Sequence, residues 1–206
     1  MCKSLFLKSP PLLILASTSP YRRELLLRVQ IPFECLSPCT DETPETGESA
    51  LVLAPRLARA KARAAAAERP DAWVIGSDQV AVLLDEPHKG RIFGKPSSVA
   101  NCVDQLLSCS GRTLSFITAV AMVRHSDASL SEFIDETRVR FRALDKPTIE
   151  RYVARESPLD CAGGFKSEGL GITLCESIDT ADPSALIGLP LIRLCAALRA
   201  VGFDLP

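Results

Sequence analysis

The chain of 206 residues is poor in several residue types on which common functions depend. It has one tryptophan, 5% aromatic residues and only two histidines, His88 and His125, both in predicted turns. A Ser-His-Asp or Cys-His hydrolase is not expected, because neither histidine has the context of a catalytic base. The 24 Lys and Arg nearly balance the 25 Asp and Glu. This balance argues against a protein that binds nucleic acid through a large net positive charge.

Familiar metal and nucleotide motifs are missing as well. The eight cysteines include no C-x-x-C pair, so a metal knuckle is not expected. Several lie in apolar segments, where a reduced cysteine behaves as a small hydrophobic residue. No P-loop is present, and no G-x-G-x-x-G follows a predicted strand. Ordinary ATP-binding and dinucleotide-binding folds are therefore not expected.

Long hydrophobic runs are also absent from the start of the chain. The apolar stretch within residues 1–17 is interrupted at Ser9-Pro10-Pro11. It is too short to span a membrane and poorly built for a signal peptide. We expect a cytoplasmic protein without a membrane partner.

The remaining composition is that of a folded protein, with 47% hydrophobic and 24% charged residues. The length predicts a single domain over residues 1–206, built as one unit or as two closely packed lobes. Strand and helix patterns alternate, and one antiparallel hairpin turns at residues 125–129. The pattern predicts an α/β fold with a mixed sheet.

A strand, turn and helix near the start of the chain predict an anion site. The apolar run from Leu12 to Ala16 reads as a buried strand, and Ser19 and Pro20 have the character of a helix N-cap and first helical residue. Tyr21 and Arg22 then fall in the first turn, with Arg22 toward the buried face. A phosphate bound by backbone N–H groups and Arg22 explains this arrangement. A pair of solvated arginines explains the spacing too.

Two charged residues fall on predicted buried positions. Lys61 lies on the alanine stripe of a helix predicted over residues 48–69, where it either extends to the edge or reaches into a site. Asp78 interrupts an apolar strand, and a buried carboxylate is costly unless paired, hydrogen-bonded or metal-bound. An aspartate at a strand end is the alternative. Glu42, in an acidic loop, could supply a second carboxylate to a hard cation.

Two loops carry further candidate residues. Lys95 lies between glycine and proline, which restrict the backbone around it as a substrate loop requires. The glycine-rich segment 163–171 permits close approach to a ligand and includes two charged residues, Lys166 and Glu168. Anion-binding groups, carboxylates and lysines together suit the metal-assisted attack of water on a phosphate chain.

Seven segments extend from about Leu12 to Arg199: LILASTSPYRRELL, DETP, RLARAKA, IGSDQV, FGKP, CAGGFKSEGLG and ALIGLPLIRLC. Together they resemble the Maf family of nucleoside triphosphate pyrophosphatases. The aromatic after Ser-Pro, the Gln in SDQV and the Glu in FKSEG are similar to the subgroup acting on 7-methyl-GTP, rather than the dTTP/UTP subgroup. The resemblance implies an elongated, two-lobed α/β fold like that of inosine triphosphate pyrophosphatase, with a mixed central sheet and a cleft. It also implies a divalent cation, a cytoplasmic location and a homodimer.

The resemblance further implies roles for single residues. Asp78 matches the proton acceptor, and Tyr21, Gln79 and Glu168 match substrate-selecting positions. Polar positions around the phosphates and metal are matched by Ser17, Arg22, Glu42, Lys61, Lys95 and Lys166. The loop between Asp85 and Gly94 is longer than usual, Arg91 stands where the family often has Glu, and Gly164 replaces a common Ser.

The expected reaction is hydrolysis of 7-methyl-GTP to 7-methyl-GMP and diphosphate. Asp78 is expected to orient or deprotonate the water, with Mg²⁺ or Mn²⁺ shared with Glu42. Lys61, Lys95 and Arg22 are expected to neutralise the leaving diphosphate. The alternatives are a dTTP/UTP-type enzyme of the same family and a non-catalytic nucleotide-binding regulator of cell division.

Overall fold

A mixed sheet of seven strands runs through residues 11–206, the part of the chain that the computed structural model describes. The strands are β1 (Leu13–Ala16), β2 (Glu34–Leu36), β3 (Trp73–Leu83), β4 (Ile92–Phe93), β5 (Thr113–Arg124), β6 (Ser129–Phe141) and β7 (Cys175–Thr180). Their order is β2-β1-β3-β5-β6-β7, and β4 pairs separately with β3. The β1 pairings are parallel and the others are antiparallel. The predicted α/β class and mixed sheet are confirmed.

Five α-helices pack against this sheet within the same residues: α1 (Pro20–Leu27), α2 (Ala50–Glu68), α3 (Val99–Cys109), α4 (Lys146–Glu156) and α5 (Leu191–Ala200). Ser19, Ser98 and Asp145 cap α1, α3 and α4 by accepting a backbone N–H. Pro55 lies inside α2 without ending it. The missing N–H costs one hydrogen bond, but the buried alanine face of α2 holds the helix against the sheet.

The central strand β3 has an opening along one edge. Its first residues, Trp73–Gly76, pair with β1, and Ala81 and Val82 pair with β4. Among the described residues no strand pairs with Ser77–Val80 on that edge, although β5 pairs with β3 throughout on the other. The polar residues in the middle of β3 therefore lie at a gap between β1 and β4.

Apolar cores lie on both sides of this gap. On one face of the sheet, α2 covers β1, β3 and β5, and on the other face α1 and α5 cover the first half of β3. A third core, around Leu106 of α3 and Ile149 of α4, packs on the far half of β3. The cores around α1 and α5 and around α3 and α4 lie at opposite ends of β3, whereas the core beneath α2 extends past the gap, from Val74 to Val80. The division of one domain into two lobes stays a prediction.

The residues that follow the glycine-rich segment do not form a strand at once. The sequence GITLCESI predicts a strand, but Leu170–Leu174 form a 3-10 helix and β7 begins only at Cys175. A Cβ at Gly171 would lie 2.3 Å from the carbonyl oxygen of Lys166. The chain therefore turns back on itself here, and only a glycine allows that approach.

The expectations for the extreme N-terminus lie outside the described residues. Within residues 11–206, no helix is both long and apolar enough to cross a membrane. The cysteines of that part of the chain, among them the buried Cys102 and Cys109, are free thiols.

Candidate functional site

A cavity of about 750 Å³ opens at the gap in β3. Most of the residues singled out in the sequence line it: Ser17, Tyr21, Arg22, Glu42, Lys61, Asp78, Gln79, Lys95 and Glu168. Lys166 is not part of the lining. The fold therefore brings together residues from the β1–α1 turn, the acidic loop, α2, β3 and both glycine-containing loops.

Asp78 and Lys61 form a buried ion pair in the wall of this cavity. The Nζ of Lys61 lies 2.7 Å from Oδ1 of Asp78, and both side chains are at most 10% exposed. Gly76 explains how α2 comes so close, since a Cβ there would lie 2.2 Å from the carbonyl oxygen of Ala58. Lys61 thus reaches inward, and Asp78 lies in the middle of β3 rather than at a strand end.

The same lysine binds a second carboxylate. Oε1 of Glu42 lies 2.8 Å from Nζ of Lys61, although the Glu42 side chain is 56% exposed. Burial raises the pKa of Asp78, while the charges of Lys61 and Arg22 act against that rise. Burial also acts to raise the pKa of Glu42, but Lys61, Lys95 and Arg22 outweigh it and lower the pKa. Burial therefore favours the protonated form of Asp78, whereas the surrounding cations favour the ionised form of Glu42.

These carboxylates decide what kind of cation could bind. No group of three or more His, Cys, Asp or Glu side chains is arranged for a metal ion within residues 11–206. Mg²⁺ commonly takes one or two protein carboxylates and fills its other positions with substrate phosphates and water. Asp78 and Glu42 fit a cation that arrives with a triphosphate, rather than one held by protein ligands alone.

Arg22 occupies the turn predicted to bind an anion. Its backbone N–H donates to Oγ of Ser19, and its Nε donates to the carbonyl oxygen of Gly188 at 2.9 Å. Gly188 has a φ of 121°, a conformation that favours glycine. The two terminal nitrogens of Arg22 have no hydrogen-bond partner among residues 11–206. Burial lowers the pKa of this guanidinium, and Asp78 and Glu42 oppose that effect.

Tyr21 lies at a different part of the cavity, in contact with residues that follow α4. Its hydroxyl donates to Oδ1 of Asp160 at 3.3 Å, and Nζ of Lys166 lies 5.5 Å from the centre of its ring. Burial raises the pKa of the Tyr21 phenol, and neighbouring Cys161 and Asp160 add to the rise. Sequence reasoning missed Asp160, because no periodic pattern marks that loop. Glu168 is exposed and lines the cavity.

Gln79 is bound to the protein by its amide nitrogen. Successive strand residues point to opposite faces, so Gln79 points away from the Asp78 side. Its Nε2 lies 3.0 Å from the carbonyl oxygens of Ala185 and Leu186 and 2.9 Å from Oγ1 of Thr118. Its amide oxygen has no partner in the described part of the chain and is the atom left for a ligand.

Comparison with known proteins finds relatives that match most of the chain. Residues 12–201 match the family model described as Maf-like protein. A protein of Alkalilimnicola ehrlichii named 7-methyl-GTP pyrophosphatase is 51% identical over 95% of this chain and 96% of its own length. One of Aromatoleum aromaticum with the same name is 53% identical over 94% and 97%. The structure of the Staphylococcus aureus Ham1 protein is 20% identical, with a TM-score of 0.43 over 63% of this chain and 71% of that one.

Proposed function

The chain belongs to the Maf family, and from that premise we propose that it hydrolyses 7-methyl-GTP to 7-methyl-GMP and diphosphate. The names of the two relatives support this substrate. The observation that carries the chemistry is the buried Asp78–Lys61 pair at the gap in β3, which faces a cavity with further cationic residues.

The triphosphate binds at the cationic part of the cavity. Arg22 from α1, Lys61 from α2 and Lys95 from the loop before α3 all line it. Fixed cations stabilise the charge that develops on a leaving diphosphate, because they need no reorganisation during the reaction. We call this part, lined by these three residues with Asp78 and Glu42, the phosphate end.

Asp78 acts as the proton acceptor. Water attacks the α-phosphorus, a new P–O bond forms, the bond from that phosphorus to the bridging oxygen breaks, and diphosphate leaves with the bonding electrons. The water proton passes to Asp78. A carboxylate with a raised pKa is a better base than an exposed one, and Lys61 fixes its orientation.

Asp78 and Glu42 are the residues that would hold Mg²⁺ or Mn²⁺. When bound, such a cation neutralises charge on the phosphate oxygens. Lys61 keeps both carboxylates close together.

The base binds at the other part of the cavity, the base end, lined by Tyr21, Asp160 and Glu168. Methylation makes 7-methylguanine cationic, so the Tyr21 ring and the Glu168 carboxylate both favour it. Glu168 can accept hydrogen bonds from the ring N–H and the exocyclic amine. A pyrimidine is smaller and neutral and leaves the carboxylate poorly paired.

The test is turnover of 7-methyl-GTP, GTP, dTTP and UTP by the purified protein with Mg²⁺, with products separated by chromatography. We expect 7-methyl-GMP and diphosphate, with kcat/KM at least about 10-fold above that of either pyrimidine nucleotide. Equal turnover of dTTP or UTP would assign the other subgroup. Binding of nucleotides without hydrolysis would favour the non-catalytic regulator.

The cytoplasmic location and the homodimer stay predictions from the family resemblance. A nucleotide substrate is consistent with that location, and the solution mass of the protein would test the dimer.

A further inference from the structure

Glu156, the last residue of α4, organises the loop that carries Lys166 and Glu168. Its Oε1 lies 3.0 Å from Nζ of Lys166, and its Oε2 accepts the backbone N–H of Leu170 at 2.6 Å. The carboxylate is only 12% exposed. Both oxygens are therefore bound to one loop, at its two ends.

The loop fits closely around this carboxylate. A Cβ at Gly169 would lie 2.6 Å from Oε1 and 2.5 Å from Oε2 of Glu156, so a larger residue there would displace the carboxylate. One helical turn earlier, the Tyr152 hydroxyl accepts the backbone N–H of Lys166 at 3.0 Å. Residues four apart share a helix face, and α4 thus fixes the loop at two successive turns.

This arrangement places a positive charge at the base end. Nζ of Lys166 lies 5.5 Å from the centre of the Tyr21 ring, while the side chain does not line the cavity. A lysine alone at this position would repel a cationic base, and a carboxylate alone would attract one. As an ion pair, Lys166 and Glu156 have no net charge, so they neither strongly repel nor strongly attract a cationic base that approaches Tyr21.

We propose that Glu156 is a specificity-determining positioning residue, which holds and neutralises Lys166 so that Tyr21 can accept a cationic base. The inference rests on the proposed function. This role differs from phosphate binding by Lys166, because a lysine that binds the phosphates would change kcat/KM for every nucleotide by the same factor.

The test measures one ratio, kcat/KM for 7-methyl-GTP divided by kcat/KM for GTP. Glu156→Gln frees the charge of Lys166, so we expect the ratio to fall at least about threefold. Lys166→Met leaves the Glu156 charge in place and still bound to Leu170, so the ratio should rise at least about twofold. The double variant should return to within about twofold of the wild-type ratio.

Two controls separate charge from shape. Glu150→Gln removes an exposed carboxylate of the same helix, 3.8 Å from Lys146, and should leave the ratio unchanged. Lys166→Arg keeps the charge and should keep the ratio. The thermal unfolding midpoint of each variant reports whether it folds.

Opposite shifts of the two single variants support the proposal. Equal ratios in both, or shifts in the same direction, overturn it. If Glu156→Gln does not fold, Lys166→Met alone still decides, because a ratio that falls or stays constant contradicts the account. A wild-type protein without preference for 7-methyl-GTP would instead refute the proposed function.

Discussion

The phosphate end and the base end of the cavity are built in different ways. At the phosphate end, Asp78 and Lys61 lie buried in β3 and α2, and their ion pair is part of the packing between sheet and helix. At the base end, Asp160, Lys166 and Glu168 come from the irregular segment between α4 and β7. The buried proton acceptor and its lysine thus lie on packed elements, whereas Asp160 and Glu168, the carboxylates near the base, lie on a loop. Changes at the two ends should accordingly differ in kind.

The largest effect is expected from Asp78→Asn. Asparagine keeps the shape of the side chain but cannot accept the proton, so kcat should fall about 1000-fold for every nucleotide tested. Steady-state kinetics measure the loss, and circular dichroism confirms the fold. A folded variant within tenfold of wild type would remove Asp78 from the mechanism.

Removal of divalent cations should also reduce the turnover of all nucleotides to the same extent. A triphosphate needs charge neutralisation, and Asp78 and Glu42 offer hard oxygen ligands. Dialysis against EDTA should abolish turnover, and added Mg²⁺ or Mn²⁺ should restore it. Full activity in excess chelator would contradict this expectation.

The pH dependence should be shared by all substrates too. Burial raises the pKa of Asp78 above the ordinary aspartate value of 3.8, and only the ionised form accepts a proton. The acidic limb of kcat/KM should therefore lie above about pH 4, in the same place for 7-methyl-GTP and GTP. A limb at or below the ordinary aspartate value would contradict the assignment.

The loss of activity at low pH should not come from unfolding caused by the titration of Asp78. A carboxyl group whose pKa is higher in the folded than in the unfolded state stabilises the fold when protonated, so its contribution is lost as the pH rises. Thermal midpoints measured at each pH provide the control.

Much of the phosphate end could be predicted from the sequence because its signals are local. Lys61 lies on an alanine stripe and Asp78 in an apolar strand, so each is a charged residue among apolar neighbours in the sequence. In the structure their side chains form an ion pair. The gap in β3 could not be predicted in this way. It depends on where β1 ends and where β4 pairs, and the three strands lie far apart along the chain.

The base end was less accessible to sequence reasoning. The family resemblance places Lys166 among the polar residues around the phosphates, and that role stays a prediction; in the structure its Nζ lies 5.5 Å from the centre of the Tyr21 ring. That position follows from contacts with Glu156 and Tyr152 on another element, which no periodicity reveals. The amide nitrogen of Gln79 is likewise taken by carbonyl groups more than 100 residues away.

The smallest effect is expected from Glu168→Gln, as a change in the preference for 7-methyl-GTP over GTP. This change is also the most direct test of the division between the two ends. The substitution removes the charge that attracts a cationic base and leaves the phosphate end intact. We predict that kcat/KM for 7-methyl-GTP relative to GTP falls at least about threefold, while GTP turnover stays within about tenfold of wild type. A variant that slows both nucleotides by the same factor would contradict the account.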